Sequence, residues 1–94
     1  CDAIVTPQPG EMTFAINQKT LDGGFAVEDS LVLQSMAVAF HHLKLVVEPG
    51  GALALAAALD RRLPTDAKIV VAVISGGNVD ADTFERALGT PALL

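Results

Sequence analysis

The stretch Lys68-Ile69-Val70-Val71-Ala72-Val73-Ile74 constrains this chain more than any other. It is a continuous run rich in β-branched residues, with no polar side chain after Lys68. A strand with one wet face alternates apolar with polar residues. A run without alternation is the pattern of a strand covered on both faces, as in a parallel sheet. The spacing therefore predicts a buried strand over 68–74, with Ser75-Gly76-Gly77-Asn78 at its carboxyl end. Helical segments predicted on either side of it argue for an α/β chain.

Those neighbours follow from periodicity and from helix-start chemistry. Ala3-Ile4-Val5 is a short apolar run that could be a strand, and it stops at Thr6-Pro7-Gln8-Pro9-Gly10, where the prolines and glycine impose a turn. Met12, Ala15 and Ile16 lie at helical spacing, so a helix is predicted from Glu11 to Leu21, ended by Asp22-Gly23-Gly24. Phe25-Ala26-Val27 reads as extended. Glu28-Asp29-Ser30 then opens a helix with the acidic and hydroxyl groups its positive end prefers. Val32, Met36, Ala39, Phe40 and Leu43 form its apolar stripe. After an extended Leu45-Val46-Val47, Pro49 suits a first helical position, and the alanine-rich segment from Gly50 to about Arg62 is apolar on nearly every face. Such a helix is expected to be buried, with Pro64 as its terminator. Asp80 is expected to cap a last helix through Leu88.

Composition bounds what such a chain can be. Its 94 residues make one small domain at most. Half of them, 51%, are apolar and only 18% are charged, against about 25% charged in an ordinary soluble domain. That balance suits a segment whose apolar faces are covered by a partner subunit or by further chain. The net charge of −5 and the scattered positions of Lys44, Lys68 and Arg86 argue against a nucleic-acid-binding face. The apolar stretch Ala52–Leu59 is too short to cross a membrane, and nothing resembles a signal peptide. A single cysteine excludes an internal disulfide and fits a reducing, cytoplasmic compartment. A start at Cys1-Asp2 without Met reads as a processed or truncated chain, with Cys1 an incidental terminus rather than a reactive thiol.

Two places carry possible chemistry. Ligands of open α/β sheets sit beyond the carboxyl ends of strands, which points to Ser75-Gly76-Gly77-Asn78. The paired glycines allow close backbone approach, and a following helix start offers an anion or phosphate site. The alternative is an ordinary strand-to-helix turn. Glu48, before Pro49-Gly50-Gly51-Ala52, either caps the helix it precedes or faces a cofactor pocket. Adjacent His41 and His42 point about 100° apart on a helix and cannot share one metal, so no metal site is assigned. No nucleophile elbow or paired-carboxylate arrangement is present.

Taken in order, three segments carry a family resemblance: Cys1-Asp2-Ala3 with Pro9-Gly10-Glu11-Met12-Thr13-Phe14; Leu43-Lys44-Leu45-Val46-Val47-Glu48-Pro49-Gly50-Gly51-Ala52; and Val73-Ile74-Ser75-Gly76-Gly77-Asn78-Val79-Asp80. Across about residues 1–88 the chain resembles the C-terminal portion of the fold-type-II pyridoxal-phosphate (PLP) enzymes, in the threonine/serine dehydratase and serine racemase group. It looks most similar to bacterial threonine dehydratases without a separate regulatory domain. The resemblance implies that residues 1–94 are one segment of the larger, C-terminal domain. That domain would be three-layered with mostly parallel strands, and incomplete in this chain. It also revises the phosphate reading, because in the family a glycine-rich loop further upstream holds the cofactor phosphate.

By resemblance, Ser75 would hydrogen-bond the pyridine nitrogen of PLP, Gly76 and Gly77 would leave room for the ring edge, Asn78 would orient the turn, and Glu48 would lie near the cofactor. Gly50 departs from the Ser or Thr of many relatives, and Glu28 from a Ser at the helix cap. The first departure puts any side-chain role at position 50 in doubt; the second touches only helix stability. Relatives carry their Schiff-base lysine in the N-terminal part of the chain, and Lys19, Lys44 and Lys68 do not match that motif. No catalytic residue is therefore assigned here, and the 94-residue chain alone is expected to be inactive and without bound cofactor. The implied reaction of the complete enzyme turns a β-hydroxy amino acid such as threonine or serine into a 2-keto acid and ammonia, in a homo-oligomer. Serine racemisation or hydroxyaspartate dehydration on the same scaffold is the near alternative. A free-standing, non-catalytic binding or assembly module is the distant one, and it would need a cooperative thermal transition of its own.

Overall fold

The computed structural model describes residues 4–24, 26–60, 62–63 and 66–94. The resemblance segment Cys1-Asp2-Ala3, the reading placed on Phe25, and the terminator Pro64 lie outside the described residues. Four α-helices follow in order: α1 (Glu11–Thr20), α2 (Asp29–Val38), α3 (Pro49–Leu59) and α4 (Ala81–Leu88), with a π-helical turn, Ala39–Leu43, continuing α2. Among the described residues no helix is long and apolar enough to cross a membrane.

Helix α2 is the hub, packing against both α3 and α4. Its apolar stripe falls where the spacing puts it: Val32, Met36 and Ala39 are buried, whereas Phe40 is half-buried and Leu43 exposed. Ser35 shares the buried face, and its hydroxyl donates to the Leu31 carbonyl at 2.8 Å, so no polar group is stranded there. Helix α3 brings Ala52 and Ala56 against this stripe, both fully buried; methyl side chains let two helix backbones approach closely. Ala87 of α4 completes the cluster, and the Phe84 ring stands edge-on to Phe40 at 5.5 Å.

The helix ends follow local chemistry. Pro49 takes the first position of α3 as expected, but the helix stops at Leu59, short of Arg62. There Asp60 donates its backbone N–H to the Ala56 carbonyl at 3.0 Å and turns its carboxylate onto Arg62. The carboxylate accepts the Arg62 backbone N–H at 2.9 Å and Nη2–H at 2.6 Å. This local loop competes with another helical turn. Asp80 caps α4 as expected, its Oδ1 accepting the Thr83 N–H and its Oδ2 the Thr83 hydroxyl, each at 2.8 Å.

Three expectations are corrected. The chain is helical, with no strand and no sheet among the described residues, so the three-layer α/β architecture with parallel strands is overturned. A strand exists only by pairing, and among the described residues none pairs with 68–74 as a strand. Ile69, Val71 and Val73 are 83%, 85% and 71% exposed. The other side packs only toward its carboxyl end: Ala72 and Ile74 are half-buried and Ile74 touches the helical core, whereas Val70 is 50% exposed. The unbroken apolar run thus has one bare side and one partly covered side. Helix α3 is the second correction, since it buries one face at Gly51, Ala52 and Ala56 and leaves Ala54 exposed. The third concerns Ile4-Val5, the described part of an apolar run that could be a strand, which forms none.

Helix α1 forms over almost the span its periodicity predicts, but buries none of its residues. Met12, Phe14 and Ile16 all face outward.

Candidate functional site

Two short segments meet above the amino end of α3. The Glu48 backbone N–H, which as a cap residue has no helical partner, donates to the Gly76 carbonyl at 2.9 Å. In return Ser75 N–H points to the Gly51 carbonyl at 3.4 Å, a longer contact. The turn 75–77 is therefore fastened to the chain at 48–51 through backbone groups alone.

Glycines make this approach possible. A Cβ on Gly51 would stand 2.5 Å from the Gly76 oxygen and 2.6 Å from its nitrogen. A Cβ on Gly76 would collide with the Glu48 carboxyl group, and one on Gly77 would stand 2.8 Å from the Val46 oxygen. None of these glycines has a positive φ. Space, not backbone conformation, requires glycine at 51 and 77, where the obstacle is backbone; at 76 the obstacle is the end of the flexible Glu48 side chain.

The five residues singled out from sequence thus fall in one neighbourhood. Glu48 is half-buried, its carboxylate lying against Gly76. It occupies the cap position of α3, yet its side chain makes no capping hydrogen bond, so the simple cap reading does not hold. Ser75 is exposed, and among the described residues its hydroxyl has no hydrogen-bond partner. Gly76 is half-buried, and Gly77 and Asn78 are exposed. Asn78 and Glu48 also share a cleft of about 340 Å3 with Asp29, Asp80, Thr83 and Arg86, where the amino ends of α2, α3 and α4 converge. In that cleft the amide and hydroxyl of Thr83 hold the Asp80 carboxyl below its ordinary range. Ser75 does not line the cleft.

Sequence reasoning missed the part played by Gly51 and Val46. The only signal was a glycine two positions past the start of an otherwise alanine-rich helix, where alanine would be the better helix former. His41 and His42 are exposed on the π-helical turn, with the His41 ring edge-on to Phe40.

Comparisons with known proteins bear on what this neighbourhood is. No family model matches the chain, and no solved structure matches it. Curated proteins do. An L-threonine ammonia-lyase of Thermotoga maritima is 34% identical over 85 residues, which is 90% of this chain and 21% of that protein. A serine racemase of Dictyostelium discoideum is 33% identical over 84% of this chain and 25% of its own length. An L-threo-3-hydroxyaspartate ammonia-lyase of Saccharomyces cerevisiae is 37% identical over 88% of this chain and 26% of its own length. The chain spans roughly a fifth to a quarter of the curated relatives it matches. The resemblance read from the residues is borne out: over most of its length this chain is homologous to one stretch of the threonine ammonia-lyases, serine racemases and hydroxyaspartate ammonia-lyases.

Proposed function

We propose that this chain is a segment of a PLP-dependent ammonia-lyase that converts a β-hydroxy amino acid, threonine or serine, to a 2-keto acid and ammonia. The observation that carries the reading is the meeting of Glu48 with the Ser75–Asn78 turn, which leaves the Ser75 hydroxyl open. The names of the relatives support it, since ammonia-lyases acting on threonine and on hydroxyaspartate are among them.

The residues fit a pyridine ring. An exposed hydroxyl without a partner among the described residues is free to meet the ring nitrogen, and the two glycines after it put no side chain in the way. PLP, when bound, supplies an electron-withdrawing ring conjugated to the α-carbon of the substrate. The role of Ser75 is electrostatic restraint. A carboxylate at this position would hold a proton on the pyridine nitrogen and make the ring a strong electron sink. A neutral hydroxyl leaves the nitrogen largely unprotonated, which favours departure of the β-hydroxyl over prolonged storage of charge in the ring. Gly76 and Gly77 keep the ring edge clear, Asn78 orients the turn, and Glu48 sets a carboxylate behind it.

The test uses the product of the complete open reading frame that contains these residues. Purified with PLP and given L-threonine or L-serine, it is expected to release ammonia and keto acid in equal amounts. Ser75→Asp should alter the absorption spectrum of the bound cofactor and slow keto-acid release by on the order of tenfold or more. A protein that takes up no PLP, or that interconverts serine enantiomers without releasing ammonia, would refute the lyase assignment.

A further inference from the structure

We infer that Gly51 is a positioning residue for Ser75: it holds the hydroxyl in register by letting the first turn of α3 press directly on the backbone of the 75–77 turn. The inference rests on the function proposed above and adds to it a residue outside the assigned site.

Gly51 lies inside α3, where a glycine costs about 1 kcal/mol relative to alanine, and Ala52, Ala54 and Ala56–Ala58 show that alanine is accepted along this helix. A glycine kept there needs a reason in space. Its missing methyl leaves the gap into which the Gly76 peptide fits, 2.5 Å and 2.6 Å from where a Cβ would stand. Contacts under 3.0 Å are essentially never made by real Cβ atoms. The atoms in the way are backbone and cannot swing aside. Alanine would therefore drive the turn off by about 0.5 Å or more. The same movement would lengthen both clamp contacts, Glu48 N–H to Gly76 O and Ser75 N–H to Gly51 O. Gly51 is itself buried and does not line the neighbouring cleft, so it reaches a ligand only through the 75–77 turn that carries Ser75. A displacement of half an ångström is enough to misalign a bound group.

The experiment is a double-mutant cycle in the full-length protein, read by titration with PLP and by the absorption spectrum of the bound cofactor. Gly51→Ala is expected to weaken PLP binding about five- to tenfold and shift the spectrum, as Ser75→Ala does, since each removes one directed hydrogen bond. In the Ser75→Ala background, Gly51→Ala should change the dissociation constant less than about twofold, because the hydroxyl it positions is gone. A merely structural role would lower the melting temperature in both backgrounds and leave the spectrum unmoved. Equal losses in both backgrounds, or an unchanged spectrum, overturns the inference.

Should Gly51→Ala fail to fold, hydrogen exchange of the unaltered protein decides. Among the described residues the Glu48 amide has only the Gly76 carbonyl as partner, and it should be protected, more strongly with PLP than without. Rapid exchange of that amide in both states refutes the clamp. If the full-length protein takes up no PLP at all, the proposed function fails, and the clamp then stands or falls on that amide alone.

Discussion

Asp80 shows how one side chain can do two things. It ties the amino end of α4 to Thr83, and it contributes a carboxylate to the cleft beside Glu48 and Asn78. Hydrogen bonds from Thr83 favour its charged form and lower its pKa below 3.8. A carboxyl group lowered in the folded state stabilises the fold fully above its unfolded value, and that contribution is lost as pH falls through the folded value. Asp80→Ala is therefore expected to lower the melting temperature at neutral pH and to flatten the acid side of the stability profile below about pH 4. Asp80→Asn should keep most of the neutral-pH stability, because an amide oxygen still caps. Thermal melts from pH 2 to pH 7 would check this; equal melting temperatures at pH 7 for the unaltered protein and the Asp80→Ala variant would contradict it. Asp60 behaves in the same direction, its carboxyl held down by the Arg62 guanidinium.

Among the helices, α2 carries the packing and α1 carries none. Met36 is fully buried and is the largest such side chain, held in a cluster built mostly from alanine and valine. Larger side chains, among them Leu31, Leu53 and Phe84, pack against its rim. Met36→Ala should cost about 2–5 kcal/mol, the usual range for such truncations. Denaturant unfolding would show it as a lower midpoint at unchanged slope. Truncating Met12 of α1, which is exposed, should change stability by less than about 0.5 kcal/mol. If both substitutions cost the same, α1 is packed in solution in a way the structure does not contain.

The molecule as a whole is loosely gathered. Its radius of gyration is 14.1 Å, against about 12 Å for a compact domain of this length. Apolar side chains stand exposed on α1 and along one side of residues 69–73. An uncovered apolar segment with unpaired backbone is a template for association. The 94-residue chain alone is expected to self-associate as its concentration rises through the micromolar range toward on the order of 100 µM. Val71→Lys with Val73→Lys should suppress this. Sedimentation velocity would check it, and a monomer throughout that range would contradict it.

Much was legible in the residues themselves. Periodicity placed α1 and α2, and composition and end signals placed α3 and α4, each within a few residues of its observed span, because the helical repeat and its start and stop signals are local. The proline that opens α3 and the aspartate that caps α4 act on backbone groups within a turn of themselves. The motifs around Glu48 and Ser75 were visible as well, since they carry unusual residue types in order. Tertiary structure decided the rest. It turned the uniform apolar run 68–74 into a segment bare on one side, because strand pairing needs a neighbour that no local pattern can supply. It also decided that Gly51 must be glycine. That requirement comes from the peptide of Gly76, brought within van der Waals distance only once residues 25 positions apart along the chain have been folded together.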